Sequence, residues 1–226
     1  MTFLELAQMV ARESGTVSGN LPSSVTNQTG RLAKIVHWTA DAWRQIQNSR
    51  ASWRWMRGEF EGTTTAGTAR YTGASFNLNR WADWITDADS MTLYRQSDGV
   101  SDEGPILYLP WQDYRRAYDR GAQTNNRPIH YTISPSGELC FGPKPDDAYV
   151  VRGEYRKSPQ KLESDGDIPE MPERFHEAIA WYGLMLLAEH DEGQLHISVA
   201  MRRYRMLMDD LMRDQLPEVS ITGALA

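Results

Sequence analysis

Apolar positions recur with a helical period in four stretches of this chain, two before and two after a long segment in which that period is lost. From Phe3 to Ser14, Leu6, Val10 and Ala11 share one face. Thr2 and Glu5 have the spacing of a capping box, in which a hydroxyl and a carboxylate satisfy backbone groups left open at a helix start. This stretch predicts helix one. From Arg31, the positions Leu32, Ile35, Val36, Thr39, Ala42, Trp43 and Ile46 hold the period and predict helix two, ending near Arg50. Ser14 to Gly30, between them, is polar and rich in Gly, Ser and Thr, and reads as an exposed loop.

The second pair lies between Ile168 and Met212. Pro172 with Glu173 suits a first turn, where a missing N–H costs nothing and a carboxylate meets the positive dipole end, so helix three is expected to start near Pro172. Phe175, Ala178, Ile179, Tyr182, Leu186 and Glu189 follow the period, but Trp181, Leu184, Met185 and Leu187 add apolar surface on the other flank. Such a helix must be covered by more than one neighbour, within the chain or in an oligomer. Helix four places Ile197, Ala200 or Met201, Tyr204, Leu207, Met208 and Leu211 on one face and is stopped by Pro217.

Nine of the 11 prolines lie between Pro105 and Pro172 and ten of the 17 glycines between Gly58 and Gly153, which bars a long helix from the middle of the chain. Strands are expected at Gly58–Thr64, Met91–Gln96, Pro105–Leu109, Pro128–Ser134, Glu138–Phe141 and Tyr149–Lys157, with Ser-Pro-Ser-Gly turning a hairpin. Trp111, Tyr114, Arg115 and Tyr118 are spaced as a short helix closed by Gly121. A charged linker, Ser158 to Asp167, leads to the second helix pair. The fold expected is α+β: a four-helix bundle from the N- and C-terminal helices, with a mainly antiparallel β insertion between helices two and three. Its parts are residues 1–57 and 172–216 for the two halves of the bundle, 58–171 for the insertion and 217–226 for a C-terminal tail.

Composition narrows the chemistry. The longest apolar run, Ala178 to Ala188, is far shorter than the roughly 20 residues that span a bilayer. The start lacks a basic region ahead of an apolar stretch, so no secretory signal is expected and the product is expected to stay in the cytoplasm. A formal net charge of −6 argues against a broad nucleic-acid-gripping surface, though an acidic wall suits DNA that must slide. Cys140 is the single cysteine, which excludes an intramolecular disulfide, and it reads as an inert strand residue.

No phosphate-binding loop, dinucleotide fingerprint, nucleophile elbow, zinc-protease or paired-cysteine motif is present, and no cofactor is expected. Asp165 and Asp167 faintly resemble a calcium loop, but His176 stands where the bidentate glutamate belongs. His176, His190 and His196 are not spaced to stack on one helix face as a metal pair. Trp81 and Trp84 beside Asp83, Asp87 and Asp89 leave open a carbohydrate platform with acid/base partners, against the plainer reading of aromatic anchors in an irregular loop. Six of the eight tryptophans fall between Trp38 and Trp84, which suggests that they seal the bundle against the insertion. Arg202, Arg203 and Arg205, followed by Asp209, Asp210 and Asp214, read as a solvated helix face, or in a ring of identical subunits as intersubunit ion pairs.

The opening TFLELAQMVARESG, the helix GRLAKIVHWTADAWRQIQNSRASWRWMRGEFE, the strands LCFGPKPDDAYVVRGEYRKSPQKL and above all IPEMPERFHEAIAWYGLMLLAEHDE resemble the head-to-tail adaptor (connector) proteins of tailed bacteriophages, the tail tubular protein A type included. The resemblance covers nearly the whole chain as an ordered series of structural phrases. It implies a non-enzymatic virion protein at the head–tail junction, assembled in the host cytoplasm, typically as a twelve-subunit ring under the portal. Such a ring extends the DNA channel, without specific DNA binding, and offers a platform to tail-tube or nozzle proteins. On this basis Leu216, Pro217, Glu218, Val219, Ser220, Ile221, Thr222 and Leu225 are candidate portal contacts within the tail Leu216 to Ala226. Arg202, Arg203, Arg205, Asp209, Asp210, Met206 and Trp181 are candidate subunit contacts. Trp81, Trp84 and Asp87, with the loop Gly15 to Thr29, are candidate tail-facing or neighbour-facing positions. The insertion is longer than in the shortest adaptors. The alternative is a tail-associated carbohydrate-binding or glycan-hydrolysing protein using Trp81, Trp84 and nearby Asp residues.

Overall fold

The chain runs α1 (Phe3–Glu13), α2 (Gly30–Asn48), β1 (Arg57–Thr63), β2 (Arg70–Tyr71), β3 (Trp81–Trp84), β4 (Thr92–Arg95), β5 (Gly104–Pro105), β6 (Leu107–Tyr108), α3 (Trp111–Tyr118), β7 (His130–Ile133), β8 (Leu139–Gly142), β9 (Tyr149–Lys157), α4 (Glu177–His190) and α5 (Ile197–Gln215). This is a computed structural model, and it describes residues 1–15, 21–87, 90–190 and 197–216. The fold is α+β, with five α-helices and two sheets among the described residues. Contacts divide it into two units, Met1–Met56 with Pro159–Ala226, and Arg57–Ser158.

In the first unit, Thr2 closes the capping box on α1: its hydroxyl accepts from the Glu5 N–H at 3.3 Å, and the Glu5 carboxylate accepts from the Thr2 N–H at 2.8 Å. Phe3, Leu6, Ala7, Val10 and Ala11 are buried. α2 turns Ile35, Thr39, Ala42, Trp43 and Ile46 into the same core. α4 is apolar round most of its circumference because α1, α2 and α5 all pack on it. Gly183 permits the approach to α2: a Cβ there would stand 3.3 Å from Thr39 Cα and 3.4 Å from the Trp38 carbonyl. α4 starts later than Pro172. Pro172 caps a 3₁₀ turn, Glu173–Phe175, and the α-helix follows from Glu177.

The boundary expected at Met171 lies instead at Ser158, because residues 159–171 are bonded to the helices. The Gln47 amide donates to the Gln160 carbonyl at 3.0 Å and accepts from the Gln160 N–H at 2.6 Å. Phe3 and Leu4 donate their N–H groups to the carbonyls of Asp167 and Asp165, at 2.7 and 3.2 Å. Leu162 and Met171 are buried in the helical core. A charged composition therefore hid a segment that is held by backbone hydrogen bonds rather than left as a linker.

His176 is buried in this unit, 1% exposed. Its Nε2 lies 2.9 Å from the Met171 carbonyl and its Nδ1 2.9 Å from the Met1 nitrogen, and Glu173 is ion-paired to that amine. Burial penalises the imidazolium and lowers the pKa from its ordinary 6.5. A lowered folded pKa means that the unfolded chain binds the proton first, so this contribution to stability is present above pH 6.5 and lost as pH falls below it. The urea midpoint of the wild type is expected to fall between pH 7.5 and 5.5, and a His176→Gln variant to show a flatter profile over that window. Parallel profiles would refute it.

The second unit contains two sheets. In one, β9 pairs with β1 along its length and with β4 and β3 on its other side, and β5 continues from β4. The other has the order β2-β8-β7-β6, with β6 parallel to β7 and the remaining pairs antiparallel. The expected hairpin is β7–β8, with Gly137 in the left-handed region at φ 80°. The single strand expected at Pro105–Leu109 is two: Gly104–Pro105 pairs with β4 and Leu107–Tyr108 with β7. Ile106 between them is buried and donates its N–H to the Met91 carbonyl at 3.1 Å. Two strands had no sequence signal: β2 is only two residues long, and β3 carries a bulge between Trp81 and Asp83 that breaks its alternation.

Candidate assembly surfaces

α5 shows how the helix period separates core from surface. Ala200, Met208 and Leu211 are buried, and Tyr204 and Leu207 pack partly on the core, Tyr204 stacked 4.8 Å from Tyr182. The opposite side exposes Arg202, Arg203, Arg205, Met206, Asp209 and Asp210. Met206 is 57% exposed, more than an isolated core-filling methionine would be. Trp181 is not on this surface. It is 7% exposed, clustered with Leu184 and Ala200, and the Arg203 guanidinium lies over its ring at 5.6 Å. The indole orients the arginine.

At the end of α5, Leu216 packs partly on the helical core and donates its N–H to the Met212 carbonyl at 3.0 Å. Pro217, Glu218, Val219, Ser220, Ile221, Thr222 and Leu225 lie outside the described residues, as do His196, Asp89 and residues 16–20 of the loop Gly15 to Thr29. Arg174 and Asp214 form an ion pair that ties the 3₁₀ turn to the end of α5.

The tryptophans expected at the tail-facing surface are built into the β unit. Trp84 is 4% exposed; its Nε1–H donates to the Gly137 carbonyl at 2.9 Å, and its ring lies 5.2 Å from Phe60. Trp81 is half-buried with its ring 5.4 Å from Trp84 and over Gly73, where any Cβ would collide with it. These are the contacts of a core wall rather than of a flat sugar platform. Asp83 caps the Trp84 N–H at 2.9 Å, and exposed Asp87 pairs with Arg57 at 3.3 Å. Of the carboxylates in that reading, the two among the described residues are thus engaged separately, one with a backbone amide and one with a guanidinium. Trp53 and Trp55 belong to the helical core, stacked 4.5 Å apart.

Other chemistry-bearing residues also have local partners. A cleft of about 380 Å³ lined by Glu59, Glu61, Thr92, Arg152 and Glu154 is spanned by Arg152, which bonds Glu61 at 2.8 Å and Glu103 at 3.1 Å and lies over the Tyr94 ring. Asp165 accepts from the Ser24 hydroxyl and the Val25 N–H, at 3.0 and 2.6 Å. Asp167 accepts from the N–H groups of Glu163 and Ser164, which lowers its pKa. His190 stacks on Trp38 at 4.4 Å. Cys140 is fully buried, and burial pushes its thiol up to about 11, away from thiolate chemistry. Among the described residues no helix is long and apolar enough to cross a membrane, and no group of three or more His, Cys, Asp or Glu is arranged to hold a metal ion.

A family model described as SU10 adaptor protein matches residues 1–224 of the chain. No curated protein matches it.

Proposed function

Since the chain belongs to the SU10 adaptor protein family, which is a family of bacteriophage structural adaptors and makes it a virion component, we propose that it forms a twelve-subunit ring docked under the portal at the head–tail junction. The ring extends the DNA channel and carries the attachment platform for tail-tube or nozzle proteins. It assembles in the host cytoplasm. The family match over 224 residues is the observation that carries this reading.

Within the ring, α1, α2, α4 and α5 make the wall as a four-helix bundle split by the β insertion. The mutual packing of α4 with α1, α2 and α5 supports that assignment. The exposed side of α5, with Arg202, Arg203, Arg205, Met206, Asp209 and Asp210, is the candidate surface between subunits, and Trp181 acts there through Arg203. Leu216 and the tail from Pro217 are the portal-contacting end. Trp81 and Asp87 remain candidates for the tail-facing side, while Trp84 serves the β core. A formal charge of −6 supports a channel past which DNA slides.

The test is direct. Purified chain mixed with portal rings is expected to decorate one face of each ring in electron micrographs, with twelve subunits by counting, and a chain lacking Pro217–Ala226 is expected not to. Undecorated portals with the full chain would sink the docking claim, and a different count would correct the stoichiometry.

A further inference from the structure

The outward stripe of α5 is complementary in charge to itself. At about 100° per residue, Val199, Met206 and Arg213 fall along one line, with Arg202 and Asp209 on one side of it and Arg203 and Asp210 on the other. All seven are exposed, Met206 at the middle by 57%. We propose that this stripe is a two-fold docking surface for a second copy of the chain, with the two α5 helices antiparallel and Met206 packed on Met206 of the second copy.

The charge order selects this arrangement. About a two-fold axis at Met206, a residue before the centre meets one equally far after it on the same side of the stripe. Arg202, four before, meets Asp209, three after; Arg203, three before, meets Asp210, four after. The mismatch is one residue, about 1.5 Å of helix rise, and the arginine side chain spans it. Symmetry gives four arginine–aspartate contacts around one methionine pair. A parallel pairing sets arginine on arginine and aspartate on aspartate, which is repulsive.

Local geometry favours the contact. Trp181 holds the Arg203 guanidinium at 5.6 Å, and the Asp210–Arg213 pair at 3.5 Å joins side chains 53% and 78% exposed, so it yields readily to a better partner. Methionine adapts to its own image across an axis. A contact that uses the same patch on both copies cannot close a ring. The dimer is therefore a waiting form of the free chain, and it opens wherever a ring neighbour takes the same face. This inference rests on α5 and stands without the portal-docking reading, whose own test is the decorated portal.

A Met206→Cys, Cys140→Ser chain, oxidised and run on a non-reducing gel, is expected to give a covalent dimer, because a residue on the axis meets itself. Arg205→Cys in the same background, off the stripe, is expected to crosslink at least tenfold less. In sedimentation, Arg202→Asp with Arg203→Asp is expected to weaken dimerisation at least tenfold, and adding Asp209→Arg with Asp210→Arg to restore it, since the exchanged stripe is again self-complementary. Thermal unfolding of each variant separates misfolding from lost contact. A wild type that stays monomeric at its highest soluble concentration, equal crosslinking at 205 and 206, or a folded fourfold variant that does not regain the dimer would each overturn the proposal. So would crosslinking at 206 that appears only after deletion of residues 217–226, since the chain's own tail would then cover the stripe.

Discussion

Trp53→Ala is expected to lower the unfolding free energy of the helical unit by about 3–5 kcal/mol, the usual cost of deleting a large aromatic from a packed interior. Trp53 is fully buried, stacks on Trp55 at 4.5 Å, and donates its Nε1–H to the Ile46 carbonyl at 3.1 Å in the last turn of α2. It therefore fills the core and closes a helix end, where carbonyls lack partners within the helix. Ile46 also accepts from the Ser49 N–H at 3.2 Å and the Ser49 hydroxyl at 2.7 Å, so losing the indole bond alone leaves the carbonyl satisfied. Trp53→Phe, which keeps most of the volume, is expected to cost only about 1 kcal/mol from that bond, plus a smaller packing loss. Urea unfolding followed by ellipticity at 222 nm measures both. Equal costs for the two variants would mean that the hydrogen bond, and not the volume, matters.

The second large effect is expected at Gly62. Its Cβ position lies 2.1 Å from Phe76 Cδ1, near the root of a side chain that is stacked 5.2 Å from Tyr71 and 5.4 Å from Phe60. Phe60 and Gly62 lie two apart on β1 and share a face. Across the pair, Phe60 covers Gly153 of β9 while Phe76 covers Gly62. Aromatic rings laid over strand glycines recover packing that the missing side chains forgo. Gly62→Val must push Phe76 out of this stack and is expected to destabilise the β unit by about 3 kcal/mol, the upper part of the usual overpacking cost. Phe76→Ala alone also destabilises, but in the Gly62→Val background its cost is expected to shrink, because the clash is relieved. Additive costs in a thermal-unfolding cycle would show that the ring can move aside freely.

The candidate site was legible in the sequence to different depths. The exposed charges of α5 follow from helix periodicity, and Arg202, Arg203, Asp209 and Asp210 lie where that periodicity puts them. Trp181 does not: it sits on the apolar flank of α4 with Leu184 and Met185, and only the arrival of Ala200 and Arg203 from α5 shows that it is covered within the chain. Trp84 misled in the same way. Its neighbours Asp83 and Asp87 are exposed, yet its indole finds the Gly137 carbonyl, 53 residues away. Burial of one aromatic among polar residues depends on its cross-strand partners, which local composition does not encode.

By itself, the sequence determined the helices, the proline- and glycine-rich β segment between them and the over-apolar character of α4, because each rests on a local signal: a 3.6-residue period, a cap, a residue that cannot donate or that frees φ. Only the tertiary structure decided that residues 159–171 belong with the helices, that Pro105–Leu109 divides between two sheets, and that β2 and β3 exist. In each case the deciding bonds join groups distant in the sequence, such as Gln47 to Gln160 and Trp84 to Tyr155. Those bonds satisfy backbone and amide groups wherever the fold brings a partner, and no periodicity in the chain announces where that will be.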